Sequence, residues 1–175
     1  MRVKLHLNRS VFPDPVKLGG HTGGVRHALF LNDDRWLITA SDDHSIRLWD
    51  LTSNEQIRKM VLSDIPNDIE LSRDGNILTV ASNSKVSFYE VSDLGEEDKA
   101  IKTIRIPTKV YSASLAPDKS AFVCAGEDFK MYKYNFADET ELGKAHSHAP
   151  FSSQKTYLVS LRQIRSKATS DQFIV

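Results

Sequence analysis

The chain has 175 residues, 40% hydrophobic and 26% charged, ordinary values for a globular protein with one core. Lys+Arg and Asp+Glu number 23 each, so no net charge draws the whole chain toward nucleic acid or an anionic membrane. Cys124 is the only cysteine, which excludes an internal disulfide and a cysteine metal cluster, and no apolar run approaches the ~18 residues of a membrane helix.

The N-terminal string MRVKLHLNRS lacks the apolar stretch of a signal peptide, so the sequon Asn8-Arg9-Ser10 carries little weight. Arg2–His6 reads as a strand and Pro15–Leu18 as an outer strand, so residues 1–19 read as the end of an earlier unit. Gly19–Gly24, with His21 and Thr22, is glycine-rich but fits neither phosphate-loop pattern; it reads as a tight connecting loop. Short runs rich in β-branched and aromatic residues follow: Arg35–Ala40, Ser45–Leu51, Asn76–Ala81, Lys85–Val91, Ala121–Ala125 and Lys130–Phe136. Asp33-Asp34, Asp42-Asp43, Asp74-Gly75 and Pro117-Asp118 lie between them as turn signals. Ser45–Leu51 and Lys85–Val91 alternate apolar and polar residues, the period of a half-buried strand. Asp93–Asp98 reads as a solvated acidic loop, Trp36 as core, and Cys124 as a small packed residue. His146 and His148 lack a third metal ligand. In the tail, Lys155, Arg162, Arg165 and Lys167 face only Asp171, and Tyr157, Leu161 and Ile164 are spaced for one face of a short helix. The fold class is all-β.

The runs repeat. Ala40–Asp50 (ASDDHSIRLWD) aligns without a gap on Ala125–Asn135 (AGEDFKMYKYN) at an offset of 85. Ala81–Glu90 (ASNSKVSFYE) lies between them, one residue shorter. An aromatic–polar pair thus recurs at 49, 89 and 134. Units of ~40–45 residues with four strands each are the signature of propeller blades. The expected organisation is the end of a blade at 1–19, blades at 20–62, 63–105 and 106–145, and a divergent basic tail at 146–175, flexible or weakly helical. Three blades and part of a fourth cannot close a ring, so the piece is expected to expose blade faces and strand edges.

Gly20-His21 is followed after about 27 residues by Trp49-Asp50, and Thr39 and Asp43 fall between. This resembles the WD-repeat family. The resemblance implies a structural tetrad of His21, Thr39, Asp43 and Trp49, in which buried polar groups satisfy one another. A hydrolase triad of the same residue types is the weaker reading, since Thr39 lies inside a strand and a triad leaves the repetition unexplained. In the third unit Cys124, Asp128 and Tyr134 stand as a decayed tetrad; in the second, Asn83 or Ser84 replaces the turn Asp. That loss predicts a second unit held less firmly than the first.

GGHTGGVRHALF, ITASDDHSIRLWD, YSASLAPDKSAFVCAGEDFKMYKYNF and LHLNR narrow the likeness to a seven-bladed scaffold branch of the family, from about Arg2 to Lys144. That resemblance implies a non-enzymatic protein-interaction scaffold without cofactor or metal. It implies membership of the survival-of-motor-neuron complex in spliceosomal ribonucleoprotein assembly. It also implies negative adaptor work in transforming-growth-factor-β receptor signalling, with an inhibitory Smad. The expected location is cytoplasmic and nuclear. Candidate protein contacts at the blade ends are Arg26, Asp42, His44, Glu127 and Phe129. The alternative is a module binding RNA directly through basic tail and loop cations, for which affinity falls steeply with salt.

Overall fold

A computed structural model describes residues 16–146, apart from 32, 33, 96 and 98. Among these residues, twelve strands form three four-stranded antiparallel sheets. The first holds β1 (Val25–Phe30), β2 (Trp36–Ser41), β3 (Ser45–Asp50) and β4 (Glu55–Val61). The second holds β5 (Pro66–Leu71), β6 (Ile77–Ser82), β7 (Lys85–Glu90) and β8 (Lys102–Arg105). The third holds β9 (Val110–Leu115), β10 (Ala121–Gly126), β11 (Lys130–Asn135) and β12 (Glu141–His146). Each sheet is a simple meander with its strands in chain order, as in propeller blades. The one helical piece among the described residues is a 3-10 turn at Val91–Asp93. Val16–Leu18 lies outside any strand, which corrects the outer strand expected at Pro15–Leu18; Pro15, like the strand expected at Arg2–His6, lies outside the described residues. The tail helix expected around Tyr157 lies outside them too.

The core sits between sheets. Ile38, Ile46 and Leu48 of the first pack against Ile69, Leu78 and Val80 of the second. Val86, Phe88 and Ile104 of the second pack against Val110, Phe122 and Tyr132 of the third. The second sheet is therefore covered on both faces, and every residue of β6 is buried. Phe88 is fully buried and meets Phe122 and Phe136 edge-to-face at 5.2 and 4.8 Å, a favoured aromatic geometry. Trp36 lies half-buried at the margin of the first cluster, with the Arg35 guanidinium 5.2 Å from its ring. Cys124 is fully buried in the second cluster, and burial, helped by Asp128 and Glu141, pushes its thiol up to about 12. It is a packed residue, not a nucleophile.

Within each sheet the hairpin joining the two middle strands lies at the end where the inner strand begins. The register shows this: Val25 pairs with Ser41, Pro66 with Ser82 and Val110 with Gly126. One face of the molecule thus collects the starts of β1, β5 and β9 and the turns at 42–44, 83–84 and 127–129.

Candidate protein-interaction face and the polar chain beneath it

The four residues spaced through the first unit meet. Trp49 Nε1–H donates to Thr39 Oγ1 at 2.8 Å. The Thr39 hydroxyl lies 2.7 Å from His21 Nε2, and His21 Nδ1 lies 2.9 Å from Asp43 Oδ2. The donors close in one sense: indole to hydroxyl, hydroxyl to Nε2, Nδ1–H to carboxylate. Asp43 also accepts from the backbone of Thr22 at 3.0 Å and from the Ser45 amide and hydroxyl at 3.0 and 2.6 Å. Burial alone would raise its carboxyl. The hydrogen bonds from Ser45, His21 and Thr22 outweigh burial and hold it far below the usual carboxylate range. The carboxylate so ties the loop before β1 to the β2–β3 turn. Gly23 lies against that turn: a Cβ there would stand 2.6 Å from Asp43 N and 2.9 Å from Asp42 C.

Arg47 is a further member that spacing did not single out. It is buried, reaches Asp43 Oδ2 at 3.5 Å, and donates to Gln56 Oε1 at 2.5 Å. Its counterpart at the offset of 85 is Tyr132, whose hydroxyl donates to Asp128 Oδ2 at 2.5 Å. In the third unit the hydroxyl that serves Asp128 thus comes from Tyr132, while at the two other tetrad positions Tyr134 stacks on Phe122 at 5.2 Å and Cys124 belongs to the core. That hydrogen bond, with burial, pushes the Tyr132 hydroxyl up to about 12.

The decay is concerted. Register and offset put Leu62 and Ile106 where His21 stands, and Val80 and Cys124 where Thr39 stands. All four are buried apolar residues. Without the imidazole, a hydroxyl at the Thr39 position would be a desolvated polar group short of a partner, so these two leave together.

The sequence-nominated contact residues all lie on the collected face. Arg26 Nε donates to Asp42 Oδ1 in the first sheet; at the offset of 85, the Tyr111 hydroxyl donates to Glu127 Oε1 at 3.2 Å in the third. His44 and Phe129, again 85 apart, both adopt a left-handed backbone with φ of 61° and 62°. That conformation disfavours residues with a Cβ. Phe129 is nevertheless a 57% exposed aromatic. Between the turns lies a cleft of about 600 Å³ lined by residues from all three units, Arg26, His44, Asn67, Asn83, Lys109 and Tyr111 among them. The Lys109 ammonium lies 5.5 Å from the Tyr111 ring. Lys109 and Tyr111 were not nominated from sequence; aligning the inner-strand starts would have found them.

Residues 15–50 match the family described as WD domain, G-beta repeat. Over 135 residues the chain is 32% identical to the serine-threonine kinase receptor-associated protein of Mus musculus, covering 77% of this chain and 37% of that protein. It is 28% identical over 161 residues to the target of rapamycin complex subunit LST8 of Saccharomyces cerevisiae, covering 91% of this chain and 52% of that one. Among solved structures, that of U3-55K superposes with a TM-score of 0.65 at 16% identity, over 75% of this chain and 42% of that chain. The chain thus spans between about a third and a half of the length of these relatives. The chain is thus part of a β-propeller, with a matched WD repeat built into the first of three four-stranded blades.

Proposed function

We propose that the chain is a non-enzymatic protein-interaction platform that takes its partner on the face formed by the three middle-strand turns. The observation that carries this is the cleft spanning all three blades, with His44 in its lining and the exposed Phe129 on a turn of the same face. Exposed aromatic side chains are among the residues that anchor a protein interface. The state of the first blade's hydroxyl–imidazole–carboxylate chain supports the non-enzymatic reading. Thr39 is only 6% exposed, and its oxygen is engaged by both His21 and Trp49. No face is left for attack on a substrate.

The partner we propose is a serine-threonine kinase receptor, on the likeness to the mouse protein of that name. Survival-of-motor-neuron complex members and an inhibitory Smad join the proposal on the sequence resemblance, with action in cytoplasm and nucleus. The test is surface plasmon resonance of the full chain against the cytoplasmic domain of such a receptor. A combined His44→Ala, Phe129→Ala variant is expected to weaken binding roughly tenfold or more. Lys59→Ala, on the outer strand β4, is expected to leave it unchanged. Wild-type binding by the face variant, or equal loss in both, overturns the assignment of the face.

A further inference from the structure

The inner strands carry one polar side chain each at the same register position. His27 of β1 stands opposite Ala40, Asp68 of β5 opposite Ala81, and Ser112 of β9 opposite Ala125. The three meet across the sheets at the foot of the cleft. Ser112 Oγ donates to Asp68 Oδ2 at 2.5 Å, and His27 Nδ1 lies 3.6 Å from Asp68 Oδ1. The side chains of His27 and Asp68 are only 20% and 10% exposed. The other ring nitrogen, His27 Nε2, lies 2.9 Å from the backbone carbonyl of Asn67.

That last contact fixes the ring. A carbonyl only accepts, so Nε2 carries a hydrogen. Nδ1 therefore faces the carboxyl of Asp68. With a bare Nδ1 and an ionised carboxylate, a lone pair would point at an anion in a poorly solvated site. Either an imidazolium facing a carboxylate or an imidazole facing a carboxylic acid removes the conflict, and both hold one proton between the two groups. We propose that His27 and Asp68 share one proton in the folded chain, and that this proton locks the first blade to the second, so that the junction loosens as pH rises.

Burial acts in the same direction. It pushes the Asp68 carboxyl above its ordinary value, against the hydrogen bond from Ser112 and the attraction of His27. Other charged or titratable groups lie near the pair. Arg26 on β1 is paired with Asp42, and Asp64 before β5 with Lys85. Glu70 lies two residues beyond Asp68 on β5. Tyr111 on β9 donates to Glu127, and His44 and Lys109 line the cleft mouth. A proton bound more tightly by the folded than by the unfolded chain makes stability fall as pH rises.

Thermal unfolding of the full chain between pH 6 and 9 tests this. The wild-type midpoint is expected to drop across the interval, with the folding constant changing about tenfold. Asp68→Asn, whose amide donates to Nδ1 as a protonated carboxyl would, is expected to flatten the slope. His27→Gln is expected to flatten it too, while His44→Gln keeps the wild-type slope. Wild-type slopes in both Asp68→Asn and His27→Gln overturn the proposal. Should those variants fail to fold, the nitrogen chemical shifts of His27 in the wild-type chain decide it. A proton-bearing or strongly hydrogen-bonded Nδ1 at pH 7.5 supports the shared proton, and a bare Nδ1 overturns it.

Discussion

Two threonines in homologous strands show how little a residue type means without its partners. Thr39 in β2 has its hydroxyl between an indole N–H and an imidazole. Thr79 in β6 stands where Ile38 stands in the first blade and faces the apolar cluster between the second and third sheets. It is 1% exposed, and its Oγ1 is the buried side-chain atom without a hydrogen-bond partner among the described residues. The same near-isosteric change should therefore act with opposite sign. Thr39→Val strands His21 and Trp49 and is expected to cost about 1–3 kcal/mol; Thr79→Val removes a desolvated hydroxyl and is expected to stabilise by about 1 kcal/mol. Chemical unfolding of the full chain measures both. Matching signs would show that the hydroxyl bonds are not what decides stability at these sites.

At the scale of the element, the β2–β3 turn and the loop before β1 stand or fall with Asp43. Its carboxyl is held below the ordinary value in the fold, so its contribution is fully present above the unfolded value of ~3.9 and is lost as pH falls through the lower folded value. Asp43→Asn is expected to cost about 2 kcal/mol near neutral pH, where charge-assisted hydrogen bonds are lost. The gap to wild type should narrow below about pH 4. Gly23→Ala, which pushes a Cβ into the backbone of that same turn, is expected to cost about 1–3 kcal/mol at every pH. An acid titration of the three proteins followed by tryptophan fluorescence separates the two behaviours, because Trp49 ends the same polar chain.

The same elements explain what sequence could and could not disclose. The six runs read as strands coincide with β2, β3, β6, β7, β10 and β11 to within a residue or so at their ends. These middle strands pack against a neighbouring sheet and carry most of the buried apolar residues. The outer strand β4 is exposed except at Met60 and carries no apolar stripe to find. The four-residue chain of the first unit was legible because its members keep fixed spacings within one repeat. The His27–Asp68–Ser112 contact was not, because it joins three repeats and has no spacing inside any of them. Arg47 and Tyr132 were hidden differently: they do the same work on Asp43 and Asp128 with unlike side chains.

For the whole molecule, the question is which blade holds the others. Loss of the polar chain argued that the second blade is held less firmly than the first. Packing argues the reverse. The three hydrogen bonds of the first blade's chain contribute roughly 1 kcal/mol each. Burying one large apolar side chain contributes about 1.5–3 kcal/mol, and the second sheet buries Leu78, Val80, Val86 and Phe88 between its two neighbours. The balance favours the middle blade by several such side chains. Amide hydrogen exchange of the full chain is therefore expected to be slowest in β6 and β7, intermediate in β2, β3 and β10, and fastest in β4 and β12. Phe88→Ala should collapse that order, since its ring meets Phe122 and Phe136 across the gap to the third sheet. The expected cost is about 3–5 kcal/mol, with protection falling in β6 and β10 together. Slowest exchange in β2 and β3 would mean that the four-residue chain outweighs apolar burial. The firmness of a blade would then follow its polar chain and not its place between neighbours.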